Sequence, residues 1–117
     1  MVIDDSDAGI KIVEKVLKDS NVIIDSVNTS KDAINRIKSK NKYDVILVDE
    51  NLSQISGVDL LAKLKEIRNF NIPVILLTKD SKYDYSDEYK NEGFSDYVMK
   101  PVKREILLDK IDKFMKK

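Results

Sequence analysis

The sequence predicts an α/β domain whose parallel sheet is covered by helices on both faces. Three observations lead there. Five short apolar runs alternate with stretches of helical periodicity, no repeat or linker interrupts them, and 117 residues suit one compact domain, residues 1–117. Near-continuous apolar runs fit strands buried on both faces, as a parallel sheet requires.

The first run covers residues 1–3, and the periodic positions Ile10, Val13, Val16 and Leu17 follow it. Run 22–27 precedes a helix marked by Ala33, Ile34 and Ile37. Run 45–48 precedes Leu60, Leu61, Leu64 and Ile67, and run 74–77 precedes a polar stretch, 83–91, with the weakest helical pattern. Run 97–99 leads into a last amphipathic segment, 103–117, with Ile106, Leu107, Ile111, Phe114 and Met115 on its apolar face. Ser6, Ser30 and Ser81 stand where helix N-caps belong, and Gly93 where a helix-terminating glycine belongs.

Composition narrows the function. With 42% hydrophobic residues a packed core is expected rather than disorder, while 36% charged residues solvate the surface. Lys+Arg and Asp+Glu are 21 each, so no net field recruits nucleic acid or an anionic membrane. Neither cysteine nor histidine is present, which removes disulfides, thiolate or imidazole metal sites, an imidazole base and a phosphohistidine. Every apolar run is far shorter than the ~18 residues of a membrane helix, so a cytoplasmic domain is expected.

In an open doubly wound sheet, ligands bind beyond the carboxyl ends of the strands. Five of this chain's polar residues follow apolar runs at such ends: Asp4, Asp5, Asp49, Thr78 and Lys100. Each has an ordinary explanation alone. An acidic pair starts a turn, Asp49 ends a strand, Gly57 opens or kinks a helix, Lys100-Pro101 makes a rigid turn, and Thr78 and Tyr97 are strand residues. Their joint order and spacing, with Gly57 eight residues after Asp49, single out a site.

Carboxylates gathered in one crevice repel each other unless a cation intervenes. Only oxygen ligands are available, which favours Mg2+, Ca2+ or Mn2+ over zinc or copper. A carboxylate can act as nucleophile and carry a phosphoryl group as an acyl phosphate. A metal ion, Lys100 and the Thr78 hydroxyl would then stabilise the phosphoryl oxygens.

With these motifs in place, the chain resembles a response-regulator receiver domain of two-component signalling over essentially its whole length. The resemblance rests on Val2-Ile3-Asp4-Asp5-Ser6, on Val45-Ile46-Leu47-Val48-Asp49 with Gly57, on Leu76-Leu77-Thr78, and on Gly93 through Lys100-Pro101. It implies a flavodoxin-like (βα)5 fold with strand order 2-1-3-4-5. It implies Asp49 as phospho-acceptor, with Asp5, Asp49 and the Asn51 backbone carbonyl as direct ligands of Mg2+ (or Mn2+) and Asp4 acting through water. Thr78 and Lys100 would hold the phosphoryl oxygens, Tyr97 would be the switch, and the Lys100-Pro101 bond would be cis. The implied partners are a histidine kinase or histidine phosphotransfer domain as donor, and a downstream output domain or protein.

Two departures from the family pattern stand near Asp49. Ser53 replaces a usual proline, which predicts a looser loop. Lys79 follows Thr78 where a small residue is usual, and is expected to shield the site. Two other readings stay open: an unphosphorylated pseudo-receiver, and a phosphatase with an aspartate nucleophile. The phosphatase reading is weakened by Asn51, where a second acid is wanted. A central strand beginning at Met1 is short, which suggests a receiver taken from a longer protein such as a hybrid histidine kinase; a stand-alone regulator is the alternative.

Overall fold

The structure, a computed structural model, describes residues 1–39 and 42–115. Its strands are β1 (Val2–Ile3), β2 (Ser26–Val27), β3 (Ile46–Asp49), β4 (Val74–Thr78) and β5 (Asp96–Met99). They pair in parallel in the order β2-β1-β3-β4-β5, the flavodoxin-like arrangement. The helices are α1 (Asp7–Val16), α2 (Ser30–Lys38), α3 (Gly57–Lys65), α4 (Glu88–Asn91) and α5 (Arg104–Met115), and a 3-10 turn (Ser81–Asp84) precedes α4.

Strand alternation divides the core in two. Ile3, Ile46, Val48, Val74 and Leu76 face one side and pack with Ala33 and Ile37 of α2 and Leu60, Leu61 and Leu64 of α3. Val2, Leu47, Ile75, Leu77 and Val98 face the other, against Val13 and Leu17 from the α1 region and Leu107 and Ile111 of α5. Burying the strands on both faces leaves their carboxyl ends as the place where polar side chains gather.

Several elements differ from the sequence expectation. Only Ser26–Val27 of run 22–27 is strand, and Ile23 is 95% exposed, because edge strand β2 pairs only with the short β1. Ile106 and Met115 are exposed at 46% and 39%, since the buried stripe of α5 follows Leu107 and Ile111, four residues apart. Stretch 83–91 is a 3-10 turn and a single helical turn, in keeping with its polar pattern. Lys116 and Lys117, at the end of the last predicted helix, lie outside the described residues.

Ser6 caps α1 as expected, accepting from the Gly9 N–H at 3.2 Å. The other two serine caps are displaced by one residue. Thr29, in extended geometry, accepts from the Asp32 N–H and caps α2, so Ser30 is already helical. Asp80 does the same for the 3-10 turn by accepting from the Lys82 N–H, which places Ser81 inside it. Gly93 follows α4 with φ 103°, a left-handed conformation that glycine adopts without a Cβ clash.

The last helix is clamped to its strand by charge. Buried Asp96 accepts from Lys110 Nζ at 3.0 Å, Lys113 Nζ at 3.1 Å and the Tyr97 N–H at 2.8 Å. Burial alone would push its carboxyl up, but the bonds from Lys110, the Tyr97 amide and Lys113 together hold it below the usual value. A carboxyl lowered in this way stabilises the fold above its unfolded pKa, about 3.9, and loses that contribution as pH falls through the folded value. Asp96→Asn should therefore cost about 1–3 kcal/mol in urea melts at pH 7, with the lysine heads partly solvated. The difference from the parent protein should shrink below about pH 4; an equal difference at pH 7 and pH 3 would contradict this account.

Candidate functional site

The parallel register brings the predicted strand-end residues together. Asp4 follows β1, Asp49 ends β3, Thr78 ends β4 and Lys100 follows β5. Register pairs Asp49 with Leu77 and Thr78 with Met99, so these residues meet at one edge of the sheet. Carboxylate oxygens of Asp4, Asp5 and Asp49 all lie within 4.8 Å of one another. Asp4 and Asp49 are buried, and Asp5 is exposed.

Lys100 Nζ donates to Asp49 Oδ1. The Asp4 carboxylate accepts the Ser6 N–H through Oδ1 at 2.9 Å. Burial raises the Asp4 pKa; the Ser6 N–H and Lys100 oppose this, while the charges of Asp49 and Asp5 add to it. This donor set suits a hard divalent cation: three carboxylates in reach of one point, no nitrogen or sulfur, and room for water on the exposed Asp5 side. Asn51, whose carbonyl the resemblance implies as a ligand, is exposed in the loop after Asp49 and forms an isolated antiparallel bridge with Ser56.

Thr78 is 1% exposed, and its hydroxyl is already engaged. It donates to Glu50 Oε1 at 2.6 Å and accepts the Asp80 N–H at 2.9 Å. Tyr97 is half-buried, with its hydroxyl donating to Asp84 Oδ1 at 2.8 Å. Its ring lies 5.0 Å from Tyr89 and 6.4 Å from Tyr83, with Lys110 Nζ 4.6 Å from its centroid. The bond to Asp84, more than partial burial, pushes its pKa up to about 12. The Lys100-Pro101 bond is cis, as expected.

The two departures take definite positions. Ser53 does not leave its loop untied: its N–H donates to Asp5 Oδ2 at 2.5 Å, a bond proline cannot make. Lys79 is exposed and lines a cleft of about 650 Å³ with Asp4, Asp49 and Lys100, walled by Ile12, Pro101 and Val102.

Sequence reasoning missed two contributors. A Cβ on Gly9 would stand 2.1 Å from Asp4 Oδ2, so the glycine makes the space that Asp4 occupies. The signal was a glycine inside a helical pattern, which usually has a packing or functional reason. Glu50, the partner of Thr78, carried no signal, because its contact spans 28 positions.

The family model for the response regulator receiver domain matches residues 1–112. The chain is 33% identical, over 96% of its length, to the 3',5'-cyclic-nucleotide phosphodiesterase regA of Dictyostelium discoideum. It is 27% identical, over 98% of its length, to hybrid signal transduction histidine kinase B of the same organism. It spans only 14% and 6% of those two proteins. Against chemotaxis protein CheY of Pseudomonas aeruginosa it is 27% identical and covers 95% of that protein. Among solved structures, the Francisella response regulator 1452 receiver domain superposes with a TM-score of 0.85 at 26% identity, covering 98% of this chain and 93% of that one.

A raised Asp4 pKa means that its ionised form is less favourable in the folded state than in the unfolded one. In metal-free buffer at pH 7, Asp4→Asn, which keeps the acceptor for the Ser6 N–H, should raise the melting temperature. A lower melting temperature would show that the ionised carboxylate stabilises the site.

Proposed function

The chain belongs to the response regulator receiver family of two-component signalling, and from that premise we propose that residues 1–117 are one phospho-accepting domain with Asp49 as acceptor. The observation that carries this reading is the setting of Asp49: buried at the end of β3, bonded by Lys100, and within 4.8 Å of the Asp4 and Asp5 carboxylate oxygens. The donor is a phosphohistidine on a histidine kinase or phosphotransfer domain, since this chain has no histidine of its own.

In the transfer, an Asp49 carboxylate oxygen forms the new P–O bond while the P–N bond of the phosphohistidine breaks. The electron pair of that bond leaves with the imidazole, which takes up a proton from solvent. Asp5, Asp49 and the Asn51 carbonyl would hold Mg2+ or Mn2+ directly, with Asp4 acting through water. The bound cation supplies neutralising charge for the phosphoryl oxygens. Lys100 transfers its ammonium from Asp49 to a phosphoryl oxygen, and Thr78 turns its hydroxyl towards another. Lys79 covers the mouth of the cleft and slows access of small donors.

The response to the phosphoryl group is a shift of Tyr97 and the surface formed by residues 81–92, β5 and α5. That shift follows only if the phosphorylated site favours one Tyr97 position over the other. Released from Asp84, the ring moves towards the space vacated by the Thr78 hydroxyl. The domain is a phosphoryl acceptor and not a turnover enzyme. As its parent we propose a larger signalling protein such as a hybrid histidine kinase, a reading supported by the small share of the Dictyostelium kinase that it matches. A stand-alone regulator is the second reading, supported by the near-complete coverage of CheY. No helix among the described residues is long and apolar enough to cross a membrane, and we place the domain in the cytoplasm.

Acetyl phosphate or beryllofluoride should modify the protein only with Mg2+ or Mn2+ present, and Asp49→Ala should abolish the modification. In the same preparation, Mg2+ at about a hundredfold over Kd should stabilise the fold by about 2.7 kcal/mol. Asp5→Asn should blunt that gain. Modification without a divalent cation, or a melting curve unmoved by millimolar Mg2+, would contradict the proposal.

A further inference from the structure

Building on the reading of Asp49 and Thr78 above, we propose that Glu50 is a positioning residue that holds the Thr78 hydroxyl away from the phosphoryl site. Activation then requires that hydrogen bond to break. A threonine hydroxyl has one proton. In this structure it goes to Glu50 Oε1 at 2.6 Å, while the hydroxyl oxygen accepts the Asp80 N–H at 2.9 Å. Thr78 therefore cannot donate to a phosphoryl oxygen and to Glu50 at once. The existing bond is strong, because a hydroxyl donating to a carboxylate is charge-assisted and Thr78 is 1% exposed.

Glu50 also has somewhere to go. Tyr83, 1% exposed, donates its hydroxyl to Glu92 Oε1 at 2.8 Å, at the carboxyl end of α4. Glu50 lies near enough to that hydroxyl to act on it, helping to raise the Tyr83 pKa behind the larger effects of burial and Glu92. A Glu50 carboxylate that loses the Thr78 proton competes with Glu92 for the Tyr83 proton. Because Glu92 caps α4, that competition carries the event from the site to residues 81–92. This route runs beside the one through Tyr97 and begins at the residue after the acceptor.

A double-mutant cycle on the full chain tests the proposal, with beryllofluoride plus Mg2+ as probe and binding constants as the readout. Glu50→Ala should bind the probe about tenfold more tightly, about 1.4 kcal/mol, and Thr78→Ala should bind it more weakly. In the Thr78→Ala background, Glu50→Ala should bring no gain. Glu50→Gln keeps an acceptor without its charge, so its gain should be smaller, roughly threefold, and should also vanish without Thr78. The glutamine variant carries the same test if the alanine variant fails to fold. Should Glu50 act only by repelling the anionic probe, the gain would persist in the Thr78→Ala background, and that result overturns the proposal. Absence of binding to the unsubstituted protein would instead overturn the reading of Asp49, and this inference with it. Binding by the parent protein with strictly additive variants overturns this inference alone.

Discussion

Three carboxylates crowd the end of the sheet where Lys100 supplies the bonded ammonium group, and the polar groups around them are organised around that crowding. Asp4, Asp5 and Asp49 keep oxygens within 4.8 Å of one another, yet among the described residues only Lys100 forms an ion pair with any of them. Burial first, and the charges of Asp49 and Asp5 after it, raise the Asp4 pKa, so its ionised form opposes folding. Natural proteins accept such local conflicts at functional sites and compensate for them elsewhere. Here the compensation is a continuous apolar sheet, with β3 and β4 buried along their whole length and a core on each face.

The surroundings of the acids follow from the same constraint. Gly9 yields the volume that Asp4 needs, and the Ser6 N–H donates to its carboxylate. Ser53 ties the loop after Asp49 to Asp5, so the third carboxylate is held although it is exposed. Further out, the Thr78 hydroxyl donates to Glu50 and the Tyr83 hydroxyl to Glu92, so both hydroxyl protons are in use. Tyr97 spends its own proton on Asp84 among the rings of Tyr83 and Tyr89. On the proposed function, a change at Asp49 would reach the surface through hydroxyl groups that each have one proton to give.

Most of this was legible in the sequence because it rests on periodicity and order. The apolar runs marked the strands, and the strand-end positions of Asp4, Asp49, Thr78 and Lys100 predicted their convergence. What escaped depends on the third dimension. Ile23, Ile106 and Met115 match an apolar pattern but face solvent, because register and helix phase, not composition, decide which side is buried. Thr29 and Asp80 displaced Ser30 and Ser81 as caps, since adjacent residues of similar chemistry compete for the same amide groups. The partnership of Glu50 with Thr78 joins two strands and leaves no local trace. At Ser53 the absence of proline does not leave the loop untied, because the serine amide supplies a tie to Asp5 that only the folded chain reveals.

The central claim is that these carboxylates make Asp49 the acceptor. The most direct measurement is to phosphorylate the protein with its donor or acetyl phosphate in Mg2+, trap the acyl phosphate by borohydride reduction, and map the altered residue by mass spectrometry. The account predicts conversion at position 49, dependent on the divalent cation. Conversion at Asp4, Asp5 or any other carboxylate of the unsubstituted protein would contradict it.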